Sequence, residues 1–395
     1  MQEIHGTVMH YPWGTKDAIP AILGVPANGQ PFAEYWLGAH PLAPSLVEGR
    51  FLDALVDADP SLLGAVASAH FSRRLPYLLK LLSAAHALSL QAHPSRDKAA
   101  EGYAREQASG IALDDPERIY KDDCAKPEMV VALSEFRLLV GFRPAQQTLA
   151  LFAGLGVRDA VDPLVAPLNF RRGAAAVEQV FLDVLGLSGD RLEIINQVLV
   201  AAVAHAGDAG GVGDLARTII DLDAHFPGDP GILAACLMNL VTLHPGQALF
   251  VPPGVMHAHL SGTCVEVQAS SDNVVRGGLT SKHIAVDELV SVVDFAESTP
   301  EVLHGSEVEP GVWAYPSACP EFDLWRLEPP AGGRVLLPGQ GSIRVALVTA
   351  GHVLLEDGAA CLPLAHGQAV LLGADNSPAH LSGDGQVFLA APGIR

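Results

Sequence analysis

The stretch that most constrains this chain is GQALFVPPGVMH, Gly246 to His257. Its spacing is Gly246, five residues, Pro252, one residue, Gly254, two residues, His257. Ala248–Val251 is an apolar run of strand length, and Pro252-Pro253-Gly254 forces a tight turn. His257 then opens the returning strand, on the side that faces the interior. An imidazole held there meets a divalent metal well. A partner strand lies upstream in ALSLQAH, 87–93, where apolar and polar residues alternate. Gln91 and His93 stand at i and i+2 and share one face. In Lys126-Pro127-Glu128 the lysine and the glutamate share a face in the same way.

The Gly–Pro–Gly–His spacing resembles the second signature of the cupin superfamily, small antiparallel β-barrels that hold a metal inside. Gln91, His93, Glu128 and His257 together offer two imidazoles, one carboxylate and one amide oxygen. Two histidines and a glutamate suit catalytic zinc, although iron or manganese accepts the same donors. With Gln91 and Glu128 as plain surface hydrogen-bonders, the set is smaller.

Three longer blocks make the resemblance specific. LPYLLKLLSAAHALSLQAHP (75–94), YKDDCAKPEMVVALSEFRLLVGFRP (120–144) and VPPGVMHAHLSGTCVEVQASSDNVVRGGLTSK (251–282) resemble type I mannose-6-phosphate isomerase. YPWG (11–14) and AEYWLGAHP (33–41) resemble that family's opening. The resemblance implies one zinc per chain on Gln91, His93, Glu128 and His257, and a small sugar phosphate as substrate. It implies a catalytic role for Arg276, whose guanidinium stabilises negative charge but takes up no proton. Lys126, Glu266 and Asp272 fall on family positions near the reacting atoms, and any of the three is a candidate base. Lys80, Ser89 and Lys282 fall on positions lining the substrate pocket. His259 stands where the family often has tyrosine and, two residues after His257, is expected to face the same cavity, as a substrate-side donor, a replacement base or a packed polar ring. Ala125 stands where it usually has histidine, so any proton transfer by that histidine passes here to another group. The rivals to an isomerase are an iron dioxygenase on the same scaffold and a sugar-phosphate-binding cupin without turnover.

The texture around these motifs predicts a mainly β protein with a helical insertion. The metal-bearing cupin domain is expected from 1–144 and 241–300, a helical domain from 145–240, and a cupin-like domain without metal ligands from 301–395. Asp53–His70 has helical spacing, and Asp97–Gln107 reads as an exposed helix. A slide of 121 positions superposes Leu243, Gly246-Gln247-Ala248 and Ala258–Gly262 on Leu364, Gly367-Gln368-Ala369 and Ala379–Gly383. This is either coincidence between glycine-turned strands or two β-units in tandem. In the second copy His257 becomes Pro378, so that ligand is lost.

Lys+Arg 24 against Asp+Glu 44 gives a net charge of −20, which repels phosphodiester backbones and argues against nucleic acid as a partner. No apolar run approaches the roughly 18–20 residues of a membrane span. Five scattered cysteines without a C-x-x-C pair, and no visible secretory signal, lead us to expect a cytoplasmic protein with reduced thiols. The sequence leaves the oligomeric state open.

Overall fold

The computed structural model describes residues 1–171, 173–358 and 360–394. Two antiparallel sheets, each of eleven strands among the described residues, carry the molecule. In the first, the long strand His257–Ala269 is the hub. Its later half pairs on one side with Tyr77–Ala84 and on the other with Glu128–Ala132. Its opening residues pair with Leu90–Ala92 and Phe136–Phe142. One strand thus serves two walls, and it bends between them at Gly262. That residue sits at φ 109°, and a Cβ there would come within 2.2 Å of the Glu135 carbonyl oxygen. Only glycine accepts both the positive φ and the close approach.

The tandem echo is present in three dimensions. In the second sheet, His380–Ala391 pairs with Arg344–Glu356 and Asp323–Leu327 and bends at Gly383, φ 110°. The turns before the repeated strands match as well, with Gly246 at φ 85° and Gly367 at φ 84°. Two units with the same bend and the same turn are related barrels rather than a coincidence of composition.

The second sheet is not confined to the tail of the chain. Gln2–His5 pairs with Ala369–Leu372 and with Leu46–Val47, which pairs in turn with Arg50–Phe51. Residues 1–144 are therefore shared between the two sheets. In the other direction, Leu303–His304 pairs with Gln247–Val251 of the first sheet. The sheets meet face to face through a cluster containing Tyr77, Leu79, Val265 and Val267 on one side and Val345, Leu347 and Phe388 on the other.

Between Ala145 and Cys236 the chain is helical, and the strand texture returns at Met238. Ala174–Leu185, Glu193–His205 and Gly210–His225 are the longest helices of this module. Their apolar stripes join Leu90, Ala92, Met256 and Ala258 in one core. Phe181 packs edge-on against Phe142, so the helical module roofs the wall where His257 begins. The single helix expected over Asp53–His70 is broken into Leu52–Ala58, a 3-10 turn at Pro60–Leu63, and Ala65–His70. Pro60 lacks an amide hydrogen to continue the first helix, and Gly64 at φ 86° ends the turn. Arg96–Ala108 forms the other expected helix, capped by the Ser95 hydroxyl.

Candidate metal centre and active site

Three side chains converge where the walls of the first barrel meet. Glu128 opens its strand, His257 opens the hub strand, and His93 follows Leu90–Ala92. His93 Nε2 lies 3.2 Å from Glu128 Oε1, and His257 Nε2 lies 3.1 Å from Glu128 Oε2. All three are buried, at 1%, 2% and 0% exposure for His93, Glu128 and His257.

The histidine tautomers follow from their other nitrogens. His93 Nδ1 lies 2.7 Å from the Asn273 carbonyl oxygen, and His257 Nδ1 lies 3.0 Å from that of Val255. A carbonyl only accepts, so each Nδ1 carries the proton and each neutral Nε2 presents a lone pair. Both lone pairs then face carboxylate oxygens at close range. This is repulsive unless a cation lies between them. Consistently, His93 Nε2 and Glu128 Oε2 have no hydrogen-bond partner among the described residues. Burial, helped by Lys126, pushes His93 down to about 4, so its imidazole is neutral at ordinary pH. Burial alone would raise the Glu128 carboxyl, but Lys126 and the two imidazoles hold it well below the usual carboxylate range. The donor set fits a divalent metal, with histidines oriented through their far nitrogens in the way metal ligands are.

Gln91, the fourth residue of the expected set, lies beside the three. Its amide lies 3.5 Å from His257 Nε2, and turning the amide about its last bond offers its oxygen at the same place. Gln91 also pairs in register with both His257 and Arg276, so Arg276 leaves the neighbouring strand beside the cluster. Lys126 Nζ lies 3.1 Å from Glu128 Oε1. Arg276 is half-buried and Lys282 exposed, and the Arg276 charge lowers the Lys282 pKa.

Lys80 is held by carboxylates, and the charge of Glu128 is among those that raise its pKa. It is 5% exposed, and its ammonium lies 3.2 Å from Glu266, 3.7 Å from Glu34 and 2.7 Å from Gln268 Oε1. The carboxylates outweigh burial and raise its pKa. Glu266 thus has Lys80 as its ion-pair partner, across the sheet from it. Ser89 is half-buried just before Leu90. His259 is buried against the edge of Phe136, and neither of its ring nitrogens has a hydrogen-bond partner among the described residues.

Asp272 brings in His40, a residue that no motif singled out. Asp272 Oδ1 lies 3.2 Å from His40 Nε2, and His40 Nδ1 accepts from the Leu42 amide. Nε2 therefore carries the proton and donates to the carboxylate. Burial raises Asp272, but the His40 hydrogen bond prevails and leaves its pKa lowered. His40, Asp272 and Ala125 line one side of a cavity of about 880 Å3, within the size range of small-molecule sites. His93, Glu128 and His257 are not among the residues that line it. Two more residues hold the assembly together. The Asn273 amide donates to the backbone oxygens of Asp122 and Cys124, and Asp122 receives the Asp272 amide. The signal for His40 was already present in AEYWLGAHP; Asn273 and Asp122 act through backbone contacts that no spacing displays.

Comparison with known proteins agrees with this geometry. The family model for the phosphomannose isomerase type I catalytic domain matches residues 1–145. Mannose-6-phosphate isomerase of Salmonella typhimurium is 33% identical over 402 residues, covering 98% of each chain. The rat enzyme of the same name is 30% identical, covering 94% of this chain and 92% of its own. A crystal structure of zinc-bound mannose 6-phosphate isomerase superposes with a TM-score of 0.89 at 30% identity, covering 99% of both chains. With a metal cluster on the barrel walls and likeness running from end to end, the chain belongs to the type I mannose-6-phosphate isomerase family.

Proposed function

We propose that this protein is a zinc-dependent aldose–ketose isomerase of the cytoplasm that interconverts mannose 6-phosphate and fructose 6-phosphate through a cis-enediol. The observation that carries the reading is the pair of pinned imidazoles whose lone pairs face one buried carboxylate beside Lys126 and Arg276. His93, Glu128, His257 and Gln91 would hold the zinc. Held there, zinc would supply a Lewis acid that lowers the energy of negative charge developing on the sugar. Arg276 adds a fixed positive charge on the same side. Lys282, exposed next to Arg276, receives the phosphate.

Of the three candidate bases, Glu266 is engaged by Lys80, and Lys126 is engaged by Glu128. Asp272 remains partly exposed to the cavity, with His40 fixing its orientation. We assign Asp272 the C2 proton, which it takes up and returns at C1, while the Lys126 ammonium gives a proton to O1 and regains one from O2. The chain divides in this reading into a metal barrel, the helical insertion at 145–240, and a ligandless barrel at 301–395. The N-terminal strand Gln2–His5 and the 46–51 hairpin complete the second barrel's sheet. The two rivals raised by the sequence, an iron dioxygenase and a binding protein without turnover, gain no support from the comparisons.

The test is an assay of purified protein with mannose 6-phosphate, with and without a chelator. Fructose 6-phosphate should form, disappear on chelation, and return with zinc. Absence of conversion after zinc reconstitution sinks the isomerase; conversion indifferent to the chelator sinks the metal centre.

A further inference from the structure

The helical insertion touches the loop that carries Lys282 through the carboxylate of Asp229, which receives three backbone amides. Oδ1 accepts from Gly231 at 2.6 Å and from Leu279 at 3.3 Å, and Oδ2 accepts from Thr280 at 3.2 Å. Leu279 is 1% exposed and sits at φ 52°, the left-handed region that a branched apolar residue occupies only under constraint. The backbones approach too closely here for a looser contact. A Cβ on Gly231 would lie 2.4 Å from the Leu279 nitrogen, and one on Gly278 would lie 2.8 Å from the Gly231 Cα. Two residues on, the Thr280 hydroxyl accepts the Lys282 amide at 3.1 Å. The chain of contacts runs from Asp229 through Leu279 and Thr280 to Lys282, whose ammonium feels Arg276 more than any other charge.

We infer that Asp229 is a positioning residue for substrate binding: the helical module uses its carboxylate to hold the 278–282 loop so that Lys282 meets the substrate's phosphate beside Arg276. Arg276 itself is fixed separately, by its register with Gln91. The clamp therefore acts on binding of the phosphate end more than on the proton transfer. The inference rests on the isomerase reading above and gives the insertion a part in it.

Removing the carboxylate frees three amides and lets Leu279 leave the left-handed region. Asp229→Ala should raise the KM for mannose 6-phosphate about tenfold and the inhibition constant of inorganic phosphate by a similar factor, with kcat held within about threefold. Asp229→Asn keeps one oxygen for the amides but turns an N–H toward another donor, so it should fall between. A double-mutant cycle separates positioning from general structural damage. Lys282→Ala should raise KM by itself, and Asp229→Ala added to it should change KM and phosphate inhibition no further. If the two effects multiply, Asp229 does not act through Lys282 and the inference is overturned; unchanged KM in Asp229→Ala overturns it equally. Where the alanine variant fails to fold, the same cycle with Asp229→Asn decides between these outcomes. A wild-type enzyme that does not isomerise tests the parent reading instead, and phosphate binding by calorimetry still measures the clamp in that case.

Discussion

Replacing Lys80 by methionine keeps the aliphatic stem and removes only the ammonium, which makes it the sharpest probe of the barrel interior. Lys80 stands in register with Glu266 on one side and Trp36 on the other, and its ammonium lies over the Trp36 ring. Glu34 and Glu266 both depend on it for compensation. Breaking a buried ion pair on one side costs about 3–5 kcal/mol, because the remaining charge is left without a partner. At roughly 2.1 cal/mol/K of unfolding entropy per residue, a chain of this size carries about 0.8 kcal/mol/K, so the midpoint should fall by about 4–6 °C near neutral pH where the chain unfolds as one unit. The pH dependence fixes the direction of the effect. Burial raises the Glu34 carboxyl more than Lys80 lowers it, even in the intact protein. A carboxyl with a folded pKa above its unfolded value contributes stability below the unfolded pKa and loses it as pH rises through the folded one. Without Lys80 the Glu34 carboxyl loses the charge that lowers it and is of this kind more strongly. The deficit of Lys80→Met should therefore be small near about pH 4.5 and full by about pH 8. The raised pKa of Lys80 itself leaves its contribution complete throughout that window. Urea and thermal unfolding at both pH values, at matched zinc content, measure this. Equal midpoints at the higher pH together with a much higher KM would place the ammonium at the substrate and refute the buried network.

Five further substitutions probe the remaining parts. His257→Ala should lose bound zinc and activity together, whereas Arg276→Ala should keep zinc, measured by metal analysis, and lose about 10²–10³ in kcat; zinc loss from the Arg276 variant would contradict its role. Asp272→Asn should lower kcat/KM by about 10²–10⁴. Because the His40 hydrogen bond lowers Asp272, the acid limb of the wild-type pH profile from this group should lie below the ordinary carboxylate range and move to higher pH in His40→Ala; an unmoved limb would remove Asp272 as base. Gly383→Ala should cost about 1–3 kcal/mol, since φ is 110° and the new Cβ would lie 2.7 Å from the His352 carbonyl oxygen, yet leave kcat within about twofold.

The metal-facing residues were legible because local rules place each of them. A Pro-Gly turn fixes where His257 begins its strand, and the period-2 alternation of 87–93 puts Gln91 and His93 on one face. The helical insertion was legible from its apolar period, and the tandem barrels from glycines that recur where the strand must bend. Partners across the sheet were not legible. Lys80 meets Glu266 only because Tyr77–Ala84 pairs with the far half of the hub strand, a register set by tertiary packing. The same holds for His40 and Asp272, which belong to loops from opposite ends of the barrel's sequence. Local spacing also cannot show that Gln2–His5 completes the sheet of the second barrel.

The net charge of −20 shows what such long-range pairing does to a functional reading. Lys80, Lys126, Arg276 and Lys282 look alike in the sequence, four cations suited to one phosphate. In the fold they perform two different tasks. Lys80 and Lys126 each face a buried carboxylate at ion-pair distance, Glu266 and Glu128 respectively. The Arg276 charge lowers the Lys282 pKa. Two like charges held together on an acidic protein are relieved when a dianion arrives. In the reading proposed above the phosphate binds at this pair, and Gln91 in register with one partner and Asp229 behind the loop of the other would set how tightly the sugar phosphate is held.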